Sequence, residues 1–127
     1  MKKILIIDDD EDFREALEAA LTPAGFRIQH AANGIEALHV LRDESYVPCA
    51  MLIDLMMPKM DGWTLLDELG RDPALARIPH AVVSAARDTG PLPKAMTLFS
   101  KPCDLRDLIR FLSSACPEPS PAPAGHG

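Results

Sequence analysis

Residues 4–12, ILIIDDDED, run four aliphatic side chains straight into five acids. The apolar half has strand length, and Phe13, Ala16, Leu17, Ala20, Leu21 and Ala24 then recur at helical spacing. A strand followed by a helix is the simplest reading, and the alternation repeats downstream. Gly25 stands where the helix should stop, Arg27 to Ala31 resumes as a short strand, and Asn33-Gly34 turns the chain toward a helical face of Ile35, Ala37, Leu38 and Leu41. Cys49 to Ile53 reads as a third strand, Trp63, Leu65, Leu66 and Leu69 as a helix ending near Gly70 to Pro73, and His80 to Val83 as a fourth strand. Leu98 to Ser100 makes the fifth, and Leu105, Leu108, Ile109 and Leu112 a last helix capped by Asp104. Gly90, Pro91 and Pro93 interrupt the region between Ser84 and Lys101, which predicts a shortened or distorted fourth helix. Strands apolar on both faces, alternating with helices, predict an α/β fold with a doubly wound five-stranded parallel sheet.

At 127 residues the chain is one domain, read here as residues 1–116 with a Pro/Ala-rich tail, PEPSPAPAGHG over 117–127, that has almost nothing to bury and is expected to be disordered. A hydrophobic fraction of 47% with 5% aromatics fits an aliphatic-cored soluble globule. The net charge of −6, with no basic stretch, argues against nucleic acid or an anionic membrane as a direct partner and points to proteins. No apolar run approaches the roughly 20 residues needed to span a bilayer, and acids follow Met1-Lys2-Lys3-Ile4 too soon for a signal peptide, so a cytoplasmic location is expected. Cys49, Cys103 and Cys116 are odd in number and lack zinc-site or disulfide-framework spacing; they read as reduced thiols with packing roles or none. His30, His39, His80 and His126 have no carboxylate or cysteine at metal spacing and read as structural or exposed.

If the runs are parallel strands, Asp8 and Asp9, Asp54, Ser84 and Lys101 all emerge at one edge of the sheet, where open parallel sheets bind ligands. The acid run Asp8 to Asp12 occupies the place of a phosphate-binding loop but has the wrong sign, and the chain has neither a G-x-G-x-x-G nor a G-x-x-x-x-G-K-[ST] pattern. An anion can enter only with a cation beside it. Mg²⁺ is the natural choice, because it takes one or two carboxylates together with waters and phosphate oxygens. One of Asp9, Asp10 and Asp12 is also expected to cap the first helix. With strand 1 beside strand 3, Asp9 and Asp54 would reach one ion and leave an Asp54 oxygen free as a nucleophile toward phosphorus. A lysine and the metal would then spread the charge on the equatorial oxygens.

ILIIDDDED, MLIDLMMPKMDGW (51–63), VVSA (82–85) and SKP (100–102), in this order and near these separations, resemble the receiver domain of two-component response regulators in its single-domain, chemotaxis-regulator-like form. The resemblance covers about residues 2 to 115. It implies a flavodoxin-like sheet of order 2-1-3-4-5, Asp54 as phospho-acceptor, and Asp8, Asp9 and Asp54 with the Met56 backbone carbonyl as Mg²⁺ ligands. It further implies Ser84 as the hydroxyl that moves to the phosphoryl group, Lys101 as its cationic partner, and a cis bond before Pro102. The implied phosphodonor is a phosphohistidine on a sensor histidine kinase or a histidine phosphotransfer protein, and the implied output is a downstream protein target. The chain would then be no enzyme in the ordinary sense, catalysing only its own phosphorylation and slow dephosphorylation.

Several positions depart from that pattern. Receivers commonly carry an aromatic three residues before the lysine, where this chain has Leu98; its aromatic is Phe99, which strand alternation sends to the other face. Cys103 stands where many receivers have Phe. Met56 and Ala86, which in receivers flank the phosphoryl group, offer no side chain to orient an attacking water, so a slowly hydrolysing acyl phosphate is expected. Two other function classes bear weighing. A pseudo-receiver would keep the fold as a binding module without phosphorylation, which the full set Asp8, Asp9, Asp54, Ser84 and Lys101 argues against. A Mg²⁺-dependent phosphohydrolase with an aspartyl nucleophile would want a second acid two residues after Asp54, where Met56 stands.

Overall fold

The computed structural model describes residues 2–43, 45–55, 60–84, 97–101 and 103–116. Its elements follow in the order β1 (Lys2–Ile7), α1 (Glu11–Leu21), a 3-10 turn (Thr22–Ala24), β2 (Phe26–Ala31), α2 (Gly34–Leu41) and β3 (Ala50–Ile53). The chain continues through α3 (Gly62–Gly70), a single-turn α4 (Pro73–Ala76), β4 (His80–Ser84), β5 (Thr97–Ser100) and α5 (Leu105–Ala115). All neighbouring strands pair in parallel, in the order β2-β1-β3-β4-β5. The fold class and strand order are those expected, and the helix anticipated between β4 and β5 lies outside the described residues, as do the tail and the bond before Pro102.

Burial sorts the strands as a two-faced sheet requires. Along β1, Ile4 and Ile6 face one way and pack with Leu17 and Leu21 of α1 and Leu108 and Leu112 of α5. Leu5 and Ile7 face the other way, toward Ala37 and Leu38 of α2 and Leu65 and Leu69 of α3. Central β3 is buried at every residue, whereas edge strand β2 alternates and edge strand β5 is mostly exposed. The helices start on side-chain caps: Asp10 for α1, Asn33 for α2, Asp61 for α3 and Asp104 for α5 each accept from a backbone N–H of the first turn. Asn33 is thus more than a turn residue, since its Oδ1 accepts from the Glu36 N–H at 2.9 Å. Gly25 ends the α1 segment with φ 98°, a left-handed conformation that glycine adopts without a Cβ penalty. The α4 turn, capped by Asp72, extends the α3 region beyond the expected stop near Gly70 to Pro73.

One reading is corrected by the structure. Cys49 and Cys116 are joined by a disulfide, with their Cα atoms 5.4 Å apart at a sequence separation of 67, rather than standing as reduced thiols. The bridge ties the residue before β3 to the residue that ends α5, a proximity that only the folded topology creates. Cys103 remains a thiol, and burial pushes its pKa up, away from the reactive thiolate form. His30 also has a carboxylate partner: its Nε2 lies 2.8 Å from Glu18 Oε1, and its Nδ1 lies 3.3 Å from Arg14 Nη1. Both partners come from α1, so the ring stitches helix to edge strand and remains structural.

Candidate functional site

Register decides which side chains meet. Ile7 pairs with Ile53 at the end of the β1·β3 ladder, so Asp8 and Asp54 are the next residues on adjacent strands, and the Asp54 N–H still donates to the Ile7 carbonyl at 2.9 Å. Ser84 pairs with Ser100, which puts Lys101 one residue beyond; its N–H donates to the Ser84 carbonyl at 3.0 Å. All four groups therefore share the carboxyl edge of the sheet.

Asp8 is 1% exposed, and both of its oxygens are engaged: Oδ1 accepts from the Asp10 N–H at 2.9 Å, and Oδ2 accepts from Lys101 Nζ at 2.7 Å. Lys101 Nζ also lies 3.8 Å from Asp54 Oδ2 and 4.3 Å from the centre of the Phe13 ring. Asp54 and Ser84 are buried, and Asp9 is exposed at the mouth. Carboxylate oxygens of Asp8, Asp9 and Asp54 all lie within 4.8 Å of one another. Three carboxylates and one ammonium carry a formal charge of −2, and at that separation each like pair repels by roughly 3 kcal/mol for an effective dielectric near 20. The donor set fits a hard divalent cation: every ligand atom is a carboxylate oxygen, and the exposed position of Asp9 leaves access for water ligands. The Met56 carbonyl, expected as a further ligand, lies outside the described residues, as does Ala86.

Three further residues, Asp10, Phe13 and Gly62, shape the surroundings of this cluster. Asp10, one of three candidate caps, is the one that closes α1, its Oδ1 accepting from the Phe13 N–H at 3.1 Å. Phe13, on the helical face of α1, also meets the lysine with its ring. Gly62 packs directly beneath the strand end that carries the site: a Cβ there would lie 2.5 Å from the Asp54 carbonyl oxygen and 2.6 Å from the Leu55 Cα. These are backbone atoms that cannot step aside. Gly62→Ala is therefore expected to destabilise the fold by roughly 1–3 kcal/mol in chemical unfolding, overpacking outweighing the roughly 1 kcal/mol that alanine gains in helix propensity. An unchanged unfolding midpoint would show that the contact is relieved elsewhere.

The displaced aromatic is also where alternation puts it. Leu98 pairs with Val82 and is 43% exposed, while Phe99 packs on the α1/α5 side, its ring 5.8 Å from that of Phe111 in an edge-to-face arrangement.

Comparison with known proteins agrees with this arrangement. The response regulator receiver domain family matches residues 4–113. The response regulator receiver protein CpdR of Brucella abortus is 35% identical over 112 residues, covering 86% of this chain and 92% of that protein. The "Probable transcriptional regulator ycf27" of Pyropia yezoensis is 42% identical over 71 residues, but this chain spans only 28% of its length. Among solved structures, a sensor protein from Polaromonas sp. JS666 superposes with a TM-score of 0.78 at 30% identity, covering 90% of this chain and 94% of that one. Sheet order, the acid cluster at its carboxyl edge and these matches agree: the chain belongs to the response regulator receiver domain family of two-component systems.

Proposed function

We propose that this receiver domain is a phosphorylation-dependent protein-interaction switch in which Asp54 accepts a phosphoryl group from a phosphohistidine on a sensor histidine kinase or a histidine phosphotransfer protein. The observation that carries the reading is the convergence of Asp8, Asp9 and Asp54 within 4.8 Å, with Lys101 Nζ 2.7 Å from Asp8 and 3.8 Å from Asp54. An Asp54 oxygen attacks phosphorus, the P–N bond of the donor breaks, and the imidazole leaves with the bonding pair. Asp8, Asp9, Asp54 and the Met56 carbonyl would hold Mg²⁺, which when bound offsets the charge of the carboxylates and of the incoming phosphoryl oxygens. The Lys101 ammonium, within reach of Asp54, and the Ser84 hydroxyl, at the end of the adjacent strand, would bind the new phosphoryl oxygens. Those bonds exist only in the phosphorylated form, so they supply the differential free energy that any conformational shift requires. Net charge and the acid mouth favour a protein over nucleic acid as the downstream target. Among the described residues no helix is long and apolar enough to cross a membrane.

Incubation with acetyl phosphate and Mg²⁺ tests the reading: the intact mass should rise by one phosphoryl group, and chelation of divalent ions should prevent the rise. A protein that stays unmodified under conditions that label a known receiver overturns it and leaves the binding-module alternative. Met56 and Ala86 carry a second expectation, a long-lived acyl phosphate. Met56→Asn or Ala86→Glu should shorten its half-life by about tenfold, because either side chain can orient the attacking water. Equal decay rates for parent and variants would refute that role.

A further inference from the structure

The contacts around Lys101 close into a ring. The Asp10 N–H donates to Asp8 Oδ1 at 2.9 Å, the Phe13 N–H donates to Asp10 Oδ1 at 3.1 Å, the Phe13 ring lies 4.3 Å from Lys101 Nζ, and Lys101 Nζ donates to Asp8 Oδ2 at 2.7 Å. The helix cap therefore does more than begin α1. It fixes the first-turn backbone that presents an aromatic face to the ammonium, and the ammonium is anchored to the same carboxylate from which the cap's own N–H hangs. We propose that Phe13 is a positioning residue for phosphoryl transfer: its ring is a neutral platform that holds the Lys101 ammonium between Asp8 and Asp54 and lets it exchange one anion for another. The inference rests on the reading of Asp54 as the phospho-acceptor.

Electrostatics explains why an aromatic suits the place. The pocket already carries three carboxylates against one ammonium, so a fourth acid would bind the lysine at the cost of further repulsion and would compete with the phosphoryl oxygens. A ring face attracts the cation through its quadrupole and adds no net charge. The attraction is also broad in direction, unlike a hydrogen bond. An ammonium sliding from its 2.7 Å contact with Asp8 toward the phosphoryl group on Asp54, whose Oδ2 is 3.8 Å away, can keep the ring contact throughout the exchange. Apolar packing alone is the competing account, since Phe13 is partly buried and also touches the α1/α5 core cluster. That account predicts that another apolar side chain of similar bulk serves as well.

The test compares Phe13→Leu, which keeps apolar bulk without a ring, Phe13→Tyr, which keeps the π face, and pentafluorophenylalanine at position 13, which keeps the ring's shape while reversing its quadrupole. In the parent, ring currents should move the Lys101 ε-methylene protons upfield in the NMR spectrum, and Phe13→Leu should abolish that displacement while Phe13→Tyr retains it. The initial rate of phosphoryl uptake from acetyl phosphate with Mg²⁺ should fall roughly three- to tenfold in Phe13→Leu and in the fluorinated protein, and stay within about twofold in Phe13→Tyr. Should Phe13→Leu fail to fold, the fluorinated protein carries the comparison. Parental rates in both, or a parental spectrum without the upfield displacement, overturn the proposal. A parent that takes up no phosphoryl group sinks the Asp54 reading instead, and the Lys101 spectrum still judges Phe13.

Discussion

A protein carrying Asp54→Ala is expected to incorporate no phosphoryl group from acetyl phosphate and Mg²⁺, a loss of at least roughly a thousandfold in rate relative to the parent. Neighbouring acids should not take over. Asp8 has both oxygens committed, to the Asp10 N–H and to Lys101, and Asp9 sits exposed at the mouth, one residue away on the same loop. Loss of uptake through misfolding can be set apart from loss of the nucleophile by the unfolding midpoint. Lys101 keeps its 2.7 Å bond to Asp8 when Asp54 is removed, and the pocket's formal charge falls from −2 to −1, so the apoprotein should be as stable as the parent or more so. The stabilisation that added Mg²⁺ gives the parent should shrink, because a ligand stabilises only in proportion to its affinity for the folded state. Undiminished labelling of Asp54→Ala would remove the basis for the proposed switch.

The second large effect concerns sulfur. Reducing the Cys49–Cys116 bond releases a loop closed across 67 residues, and in the chain-entropy account a loop of that length stabilises the fold by about 4 kcal/mol. For a domain of this size that corresponds to a melting temperature lower by roughly 15 °C. The reduced parent and a Cys49→Ser/Cys116→Ser double variant should melt alike, and the variant should no longer respond to reductant. Thiol titration under denaturing conditions checks the premise directly: one group, Cys103, should react before reduction and all three cysteines after it. Three reactive thiols in the unreduced protein would show that the bridge does not form. Because reducing compartments keep most cysteines as thiols, trapping thiols at the moment of cell lysis will show which state the protein holds where it works.

The parallel sheet was legible from the sequence because its strands carry the signal locally: ILII over 4–7 and AMLI over 50–53 are buried at nearly every position and end on acids. The grouping of Asp8, Asp54, Ser84 and Lys101 followed from the same premise, since parallel strands in register deliver their C-terminal residues to one edge. What escaped the reading depends on distances that no local pattern encodes. The approach of Cys49 to Cys116 requires the topology that brings the start of β3 to the end of α5, and the contact of Phe13 with Lys101 joins residues from opposite ends of the chain. The pairing of His30 with Glu18 requires α1 to lie across β2 at one particular height. Periodicity tells which face a side chain occupies, but not which neighbour stands opposite it.

Phe99 hangs edge-on against Phe111 on the α5 side of the sheet, while the outward position on β5 belongs to Leu98. Rotating the Phe99 ring outward would tear apart a packed pair and open a hole of aromatic size, which typically costs several kcal/mol. The aromatic that β5 carries is therefore held as a strut and not a rotor, and its contact with Phe111 is the link through which a movement of Lys101 would reach the last helix.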